Sequence, residues 1–154
     1  MKKPLNKVQS TTDIVIAVSL IIFIYVHRVV KNKTDKILLK SGIIGAITYI
    51  IARLFKIQAF INITHIMYFF LVLLIPFLAN EKITLYLYLL VVAITLITRF
   101  IYKECILSRL EKKQVDGYDE NNVFYTIYER YFNWTLTTSI WGAIALGRLI
   151  IQFK

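Results

Sequence analysis

Long apolar runs separated by short polar breaks dominate the chain. The clearest run lies between Lys56 and Glu81, where 24 residues contain no Asp, Glu, Lys or Arg. About 20 apolar residues are enough to span the hydrocarbon core of a bilayer. The run therefore predicts a transmembrane helix over about residues 57–79. Pro76 is tolerable there because it lies near the exit and affects only the last turn.

Three further runs have the same character, each with charge only near one end. They are residues 14–30 with Arg28 at the trailing edge, residues 83–102 with Arg99, and residues 133–153 with Arg148. Long cationic side chains near a helix end can extend to the lipid headgroups. Each run therefore predicts a membrane helix. The polar turn Asn80-Glu81-Lys82 joins the predicted helices 57–79 and 83–102, which therefore form an antiparallel hairpin.

The segment 37–55 is ambiguous. Lys40 and Arg53 leave only 12 uncharged residues between them, at 41–52, which is short for a full crossing. If all five segments cross, 10 Lys and Arg residues lie on one side of the membrane and 7 on the other. If 41–52 does not cross, the numbers are 12 and 5. The positive-inside rule therefore favours four spans, whereas hydropathy favours five. The predicted fold is all-α, a single membrane domain over 1–154 with four or five helices.

Residues 103–132 form the one sizeable polar segment of the sequence. Its first part extends the preceding helix out of the membrane, and Asp116-Gly117 predicts a turn. Residues 123–132 mix aromatic and charged side chains, which is typical of a helix at the membrane interface.

Composition supports a membrane location. Of the 154 residues, 58% are apolar, compared with about 45–50% in soluble domains. The net charge is +10, but the basic residues lie mostly between apolar runs, so the predicted partner is the lipid bilayer and not a nucleic acid. The single Cys105 excludes an intrachain disulfide. Abundant Ile, Lys, Asn and Tyr indicate an AT-rich genome, such as that of a large DNA virus, a low-GC bacterium or a protist.

Two polar residues lie inside the most apolar run. Asn62 and His65 are three positions apart and therefore share a helical face. Together with Arg99 they could line a path for protons or a solute. Alternatively, His65 bonds to a neighbouring helix and Arg99 anchors in the headgroups. His65 and His27 are too few for a zinc site, so neither a metal nor another cofactor is predicted.

Small residues recur at a spacing of four in the last run, at Ser139, Ala143 and Gly147. Segment 37–55 has the same spacing in Ser41 and Gly45 and in Gly42 and Ala46. Such spacing lets helix backbones approach closely in lipid. It predicts either a seam between copies of the chain or packing within one molecule.

The string Cys105-Ile106-Leu107-Ser108-Arg109-Leu110-Glu111 follows a hydrophobic helix. It resembles the Cys-x-Leu-Ser/Thr-x-Leu-Glu stretch of a family of small, uncharacterised multi-span membrane proteins. Gly117-Tyr118 and the later span fit the same arrangement, although Ile106 stands where that family usually has proline. The resemblance implies a multi-span membrane protein and no particular activity.

The sequence lacks a Gly-rich phosphate loop, a His-Glu-x-x-His motif, a Gly-x-Ser-x-Gly elbow and a potassium-filter string. No catalytic residue is therefore predicted. The favoured interpretation is a non-enzymatic structural or interaction role in a membrane, with a homo-oligomer or another membrane protein as a candidate partner. The alternative is a small oligomeric transporter or channel lined by His65, Asn62 and Arg99. A third interpretation is a membrane enzyme using His27, His65 and Glu104.

Overall fold

The computed structural model describes residues 7–55, 57–102 and 133–152, and within these ranges the chain forms five helices and no strand. The helices are α1 (Lys7–Val29), α2 (Lys33–Leu54), α3 (Gln58–Leu78), α4 (Lys82–Tyr102) and α5 (Trp134–Gln152). The prediction of an all-α helical bundle is confirmed. The predicted polar segment 103–132, with Glu104 and Cys105, lies outside the described residues.

Four of these helices, α2 to α5, are long and apolar enough to cross a membrane, by length and composition. The ambiguous segment belongs to this group because α2 begins at Lys33 and has 22 residues, a length of about 33 Å at 1.5 Å per residue. Arg53 is then next to the last residue of α2, and Lys40 lies about 10 Å from its start, where a long side chain can still reach the headgroups. The apolar stretch of α1, Ile14–Val29, is shorter than those of the other four helices.

Helix α1 nevertheless runs beside α2 over most of the depth of the bundle. Val30, just past the end of α1, belongs to the same buried cluster as Leu39 in the first half of α2. Ile16, near the other end of α1, packs against a cluster that contains Ala52 of α2. The two helices are therefore antiparallel neighbours, and α1 covers α2 from one end to the other.

Helix α5 packs against both α3 and α4. The indole of Trp134 meets the ring of Phe69 on α3 edge-on, with centroids 5.2 Å apart, and further along both helices the indole of Trp141 meets the ring of Phe77. Helix α5 therefore runs parallel to α3. A Cβ placed on Gly142 would lie 3.0 Å from Cγ1 of Val92 on α4, closer than most such contacts. The most extensive contacts of α3 and α4 are thus with α2 and α5 respectively, and not with each other. The predicted α3–α4 hairpin is correct in connection but contributes little of the packing.

The bundle has two distinct ends. The connection between α1 and α2, the connection between α3 and α4, and the last turn of α5 lie together, as their hydrogen bonds show. We call this the clasp end. The connection between α2 and α3, the end of α4 and the start of α5 lie at the opposite end. This arrangement follows when each of the five helices runs the length of the bundle in the direction opposite to the helix before it in the chain. A chain in which 41–52 does not cross would separate the two clasp-end connections.

Cysteine accessibility provides a direct test of this topology. In a Cys105→Ser background, we expect Lys33→Cys and Lys82→Cys to react with a membrane-impermeant maleimide from one side of sealed vesicles. Asn133→Cys should react only from the other side, because Asn133 precedes α5 at the opposite end. Labelling of positions 33 and 133 from the same side would show that α2 does not cross.

Candidate functional site

The clasp end is built around a buried carboxylate. Asp35 lies in the first turn of α2 and is fully buried. Its Oδ1 accepts a hydrogen bond from the backbone amide of Asn80 at 2.8 Å, and its Oδ2 accepts one from the amide of Glu81, also at 2.8 Å. Both oxygens of one side chain therefore hold the connection that leads into α4.

Glu81 makes the reciprocal contact. Its Oε1 accepts hydrogen bonds from the backbone amides of Lys31 (2.6 Å) and Asn32, in the connection between α1 and α2. The side chain of Asn32 caps α2 by accepting from the amide of Thr34 at 2.9 Å, as Asn commonly does at a helix start. The two connections, residues 30–32 and 79–81, are thus tied together by two carboxylates, those of Asp35 and Glu81. We refer to these contacts as the clasp.

Arg148 of α5 joins the same end of the bundle. Its Nη1 donates to the carbonyl of Pro76 at 2.6 Å, and its Nη2 donates to the carbonyl of Ala79 at 2.9 Å. Its Nε also donates to Oε1 of Gln152 at 3.0 Å. The last carbonyls of a helix have no donor within that helix. Arg148 therefore satisfies the carboxyl end of α3 from a neighbouring helix.

Pro76 explains one further contact on α3, and a second contact lies beside it. A proline inside a helix has no amide hydrogen for the carbonyl four residues earlier, here that of Val72, and its ring disturbs the preceding turn. The hydroxyl of Tyr88 donates to this Val72 carbonyl at 3.0 Å. Nε1 of Trp141 donates to the neighbouring carbonyl of Leu73, also at 3.0 Å. The Tyr88 hydroxyl of α4 thus supplies the donor that Pro76 lacks, which is a condition under which membrane helices tolerate proline. Trp141 of α5 adds a second bond, to the next carbonyl of the same turn.

The polar residues that the sequence singled out within the spans lie away from the clasp. His65 is half-buried on α3 and faces Tyr49 of α2, with ring centroids 6.3 Å apart. Asn62 is also half-buried, one turn earlier on the same helix. Arg99 is half-buried in the last turn of α4. The neighbour that the structure gives to His65 is therefore an aromatic residue of the adjacent helix.

The small residues of α5 divide between two faces. Ser139 and Ala143 are exposed, and a Cβ on Gly147 would meet nothing within 4 Å. Gly142 and Ala145 are instead buried against α4. The predicted stripe Ser139, Ala143 and Gly147 thus faces outward, and its neighbours make the contacts within the molecule. In α2, by contrast, Gly42, Gly45 and Ala46 are all buried.

An apolar groove of about 160 Å³ lies between α1 and α4. Its walls include Ile14, Val18 and Ile22 of α1 and Leu87 and Ile94 of α4. Within the part of the chain that the structure describes, no group of three His, Cys, Asp or Glu residues could hold a metal ion.

Sequence reasoning missed the roles of Asp35 and Glu81 and read Arg148 as a headgroup anchor. Two signals were available in the sequence. Asn32 followed by Asp35 is typical of a helix start, which indicates that α2 begins before residue 37. Pro76 leaves the carbonyl of Val72 without its helical donor, and a polar side chain on a neighbouring helix is one of the groups that can supply it.

Comparisons of the chain with protein-family models, with curated proteins and with solved structures find no match.

Proposed function

We propose that this chain is a non-enzymatic, multi-pass membrane protein whose role is structural or interaction-based, with the five helices held as one fixed unit. One observation carries the proposal. Polar side chains near the clasp end bond to backbone groups of neighbouring segments: Asp35 and Glu81 to amides, and Tyr88, Trp141 and Arg148 to carbonyls.

These contacts favour a scaffold for a physical reason. Hydrogen-bonding groups that are used between helices are not available to bind a solute or to transfer a proton. Each such bond also resists sliding or rotation of one helix against another, because breaking it leaves a polar backbone group in a low-dielectric region. A bundle fixed in this way acts through its outer surfaces, on lipid or on another membrane protein.

The competing proposal is a small oligomeric transporter or channel lined by His65 and Asn62. The position of His65 beside Tyr49 favours packing between α2 and α3 over a hydrated path. The two proposals differ in what they require of the His65 imidazole. A path needs it to meet water or solute, and a scaffold needs it only to fill space between helices.

A flux assay separates the two. The purified full chain is reconstituted into liposomes that carry a pH-sensitive dye, and proton and potassium fluxes are driven by an imposed membrane potential. We expect fluxes equal to those of empty liposomes for the native chain and for His65→Ala. Ile63→Ala is the control, because Ile63 is exposed on the same helix. Flux well above that of empty liposomes, lowered in His65→Ala but not in Ile63→Ala, would overturn the scaffold proposal.

A further inference from the structure

A dense basic surface surrounds the clasp. Five cations are exposed within thirteen residues of the chain: Arg28, Lys31, Lys33, Lys36 and Lys40. Three of them, Lys33, Lys36 and Lys40, recur at helical spacing and lie on one face of α2. Over this segment the only acid is Asp35. We call these five residues the basic surface.

The outer face of α2 places the basic surface at headgroup depth. The exposed stripe that begins with Lys33, Lys36 and Lys40 continues as the isoleucines Ile44, Ile47 and Ile51. The lysine part extends about 10 Å along the helix axis, and each headgroup layer is about 5–8 Å thick. The change from lysine to isoleucine therefore marks the border between headgroups and acyl chains, and a lysine ammonium just above that border lies at the level of the lipid phosphates.

The acids of this end are directed away from the basic surface. Asp35 is fully buried, and both of its oxygens accept backbone amides of the other connection. Glu81 likewise accepts backbone amides through Oε1. The carboxylates are thus used inside the clasp, and the exposed layer of this end remains cationic.

The opposite end differs in its sequence. Segment 103–132, which joins α4 to α5, contains five basic and six acidic residues. Its charges balance within the segment, whereas residues 28–40 carry five basic residues and one acid. Residues 28–40 therefore carry a local cationic excess that segment 103–132 lacks, and the other cations of the opposite end belong to the amino-terminal residues and to Arg53 and Lys56.

We propose that the basic surface binds the headgroups of anionic phospholipids and concentrates them around α1 and α2. Lysines close to a membrane surface attract anionic headgroups, and the attraction falls with added salt. The inference requires only that α1 and α2 lie in a bilayer. It therefore holds whether the bundle is a scaffold or a solute path, and the flux assay does not bear on it.

The test measures lipid selectivity around the full chain. The chain is reconstituted in phosphatidylcholine vesicles that contain a trace of spin-labelled phosphatidylglycerol or spin-labelled phosphatidylcholine. The motionally restricted fraction of each label gives their relative association with the protein. We expect the native chain to prefer phosphatidylglycerol. In Lys33→Gln/Lys36→Gln/Lys40→Gln the ratio of phosphatidylglycerol to phosphatidylcholine association should fall by up to roughly tenfold, towards unity.

Two matched variants make the result specific. Lys33→Arg/Lys36→Arg/Lys40→Arg keeps the charge and should keep the preference, which separates loss of charge from loss of fold. Lys103→Gln/Lys112→Gln/Lys113→Gln removes three cations from the opposite end and should leave it unchanged. Equal association of both lipids with the native chain, or an equal loss in the two glutamine variants, would overturn the proposal. So would displacement of the anionic lipid by inorganic phosphate at constant ionic strength, because that outcome indicates a site for a free anion.

Discussion

Replacing Asp35 with alanine is expected to lower the free energy of unfolding by about 3 kcal/mol or more, because it removes two hydrogen bonds to a charged group. The amides of Asn80 and Glu81 would both lose their acceptor. Asp35 is fully buried, so water has little access to replace it. Asp35→Asn should fall between alanine and the native chain, because its amide oxygen can still accept one bond while its NH₂ faces the other donor.

Unfolding of the chain in mixed micelles, followed by circular dichroism during titration with sodium dodecyl sulfate, measures this effect. Lys36→Ala is the matched control, because Lys36 is the next residue of α2 and is exposed. We expect its free energy of unfolding to change by no more than about 0.5 kcal/mol. If Asp35→Ala unfolds at the same detergent fraction as Lys36→Ala, the clasp does not stabilise the bundle.

Hydropathy was enough to predict the five helices, because each contains a long apolar run bounded by polar residues. It placed the hairpin turn after α3 within one residue of the observed connection, Ala79 to Glu81. At α2 it predicted a helix over 37–55, four residues short of the observed start at Lys33, and the uncharged core of only 12 residues left the crossing open. Helix α2 is bordered on two sides by α1 and α3, so small buried residues such as Gly42 and Ala46 serve where lipid-facing helices need large apolar ones.

The arrangement of the helices could not be predicted from local pattern. The Lys and Arg count favoured a chain in which 41–52 does not cross, but that count weighs charges by segment and contains no information on contacts. The bond between Asp35 and the amide of Asn80 joins positions 45 residues apart, and no periodicity in the sequence encodes it. The same holds for Arg148, whose cationic head looks like a headgroup anchor until the carbonyls of Pro76 and Ala79 are seen beside it.

The candidate site residues show the same limit. Asn62 and His65 were selected because polar groups are rare in apolar runs, and the structure gives His65 an aromatic neighbour, Tyr49. The outward position of Ser139 and Ala143 could not be read from spacing, because the spacing alone does not indicate which face of α5 meets α4. Whether this stripe joins copies of the chain stays a prediction.

Arg148→Met is expected to lower the free energy of unfolding by about 2–3 kcal/mol, because it removes charged donors from two carbonyls at the end of α3. Arg148→Lys should lose less, since one ammonium can still approach a carbonyl but cannot reproduce the two-pronged contact. Ile150→Ala is the control on the same helix, because Ile150 is exposed and its side chain has no hydrogen-bonding group.

Combining this change with Asp35→Ala tests how the two residues act together. The amide of Asn80, which Asp35 holds, and the carbonyl of Pro76, which Arg148 holds, are four residues apart. In a regular helix these two groups bond to each other. The double variant frees both at once, so α3 can extend by one residue and pair them. We therefore expect the double variant to lose about 1 kcal/mol less than the sum of the single losses. Strict additivity would mean that Asp35 and Arg148 hold the end of α3 independently.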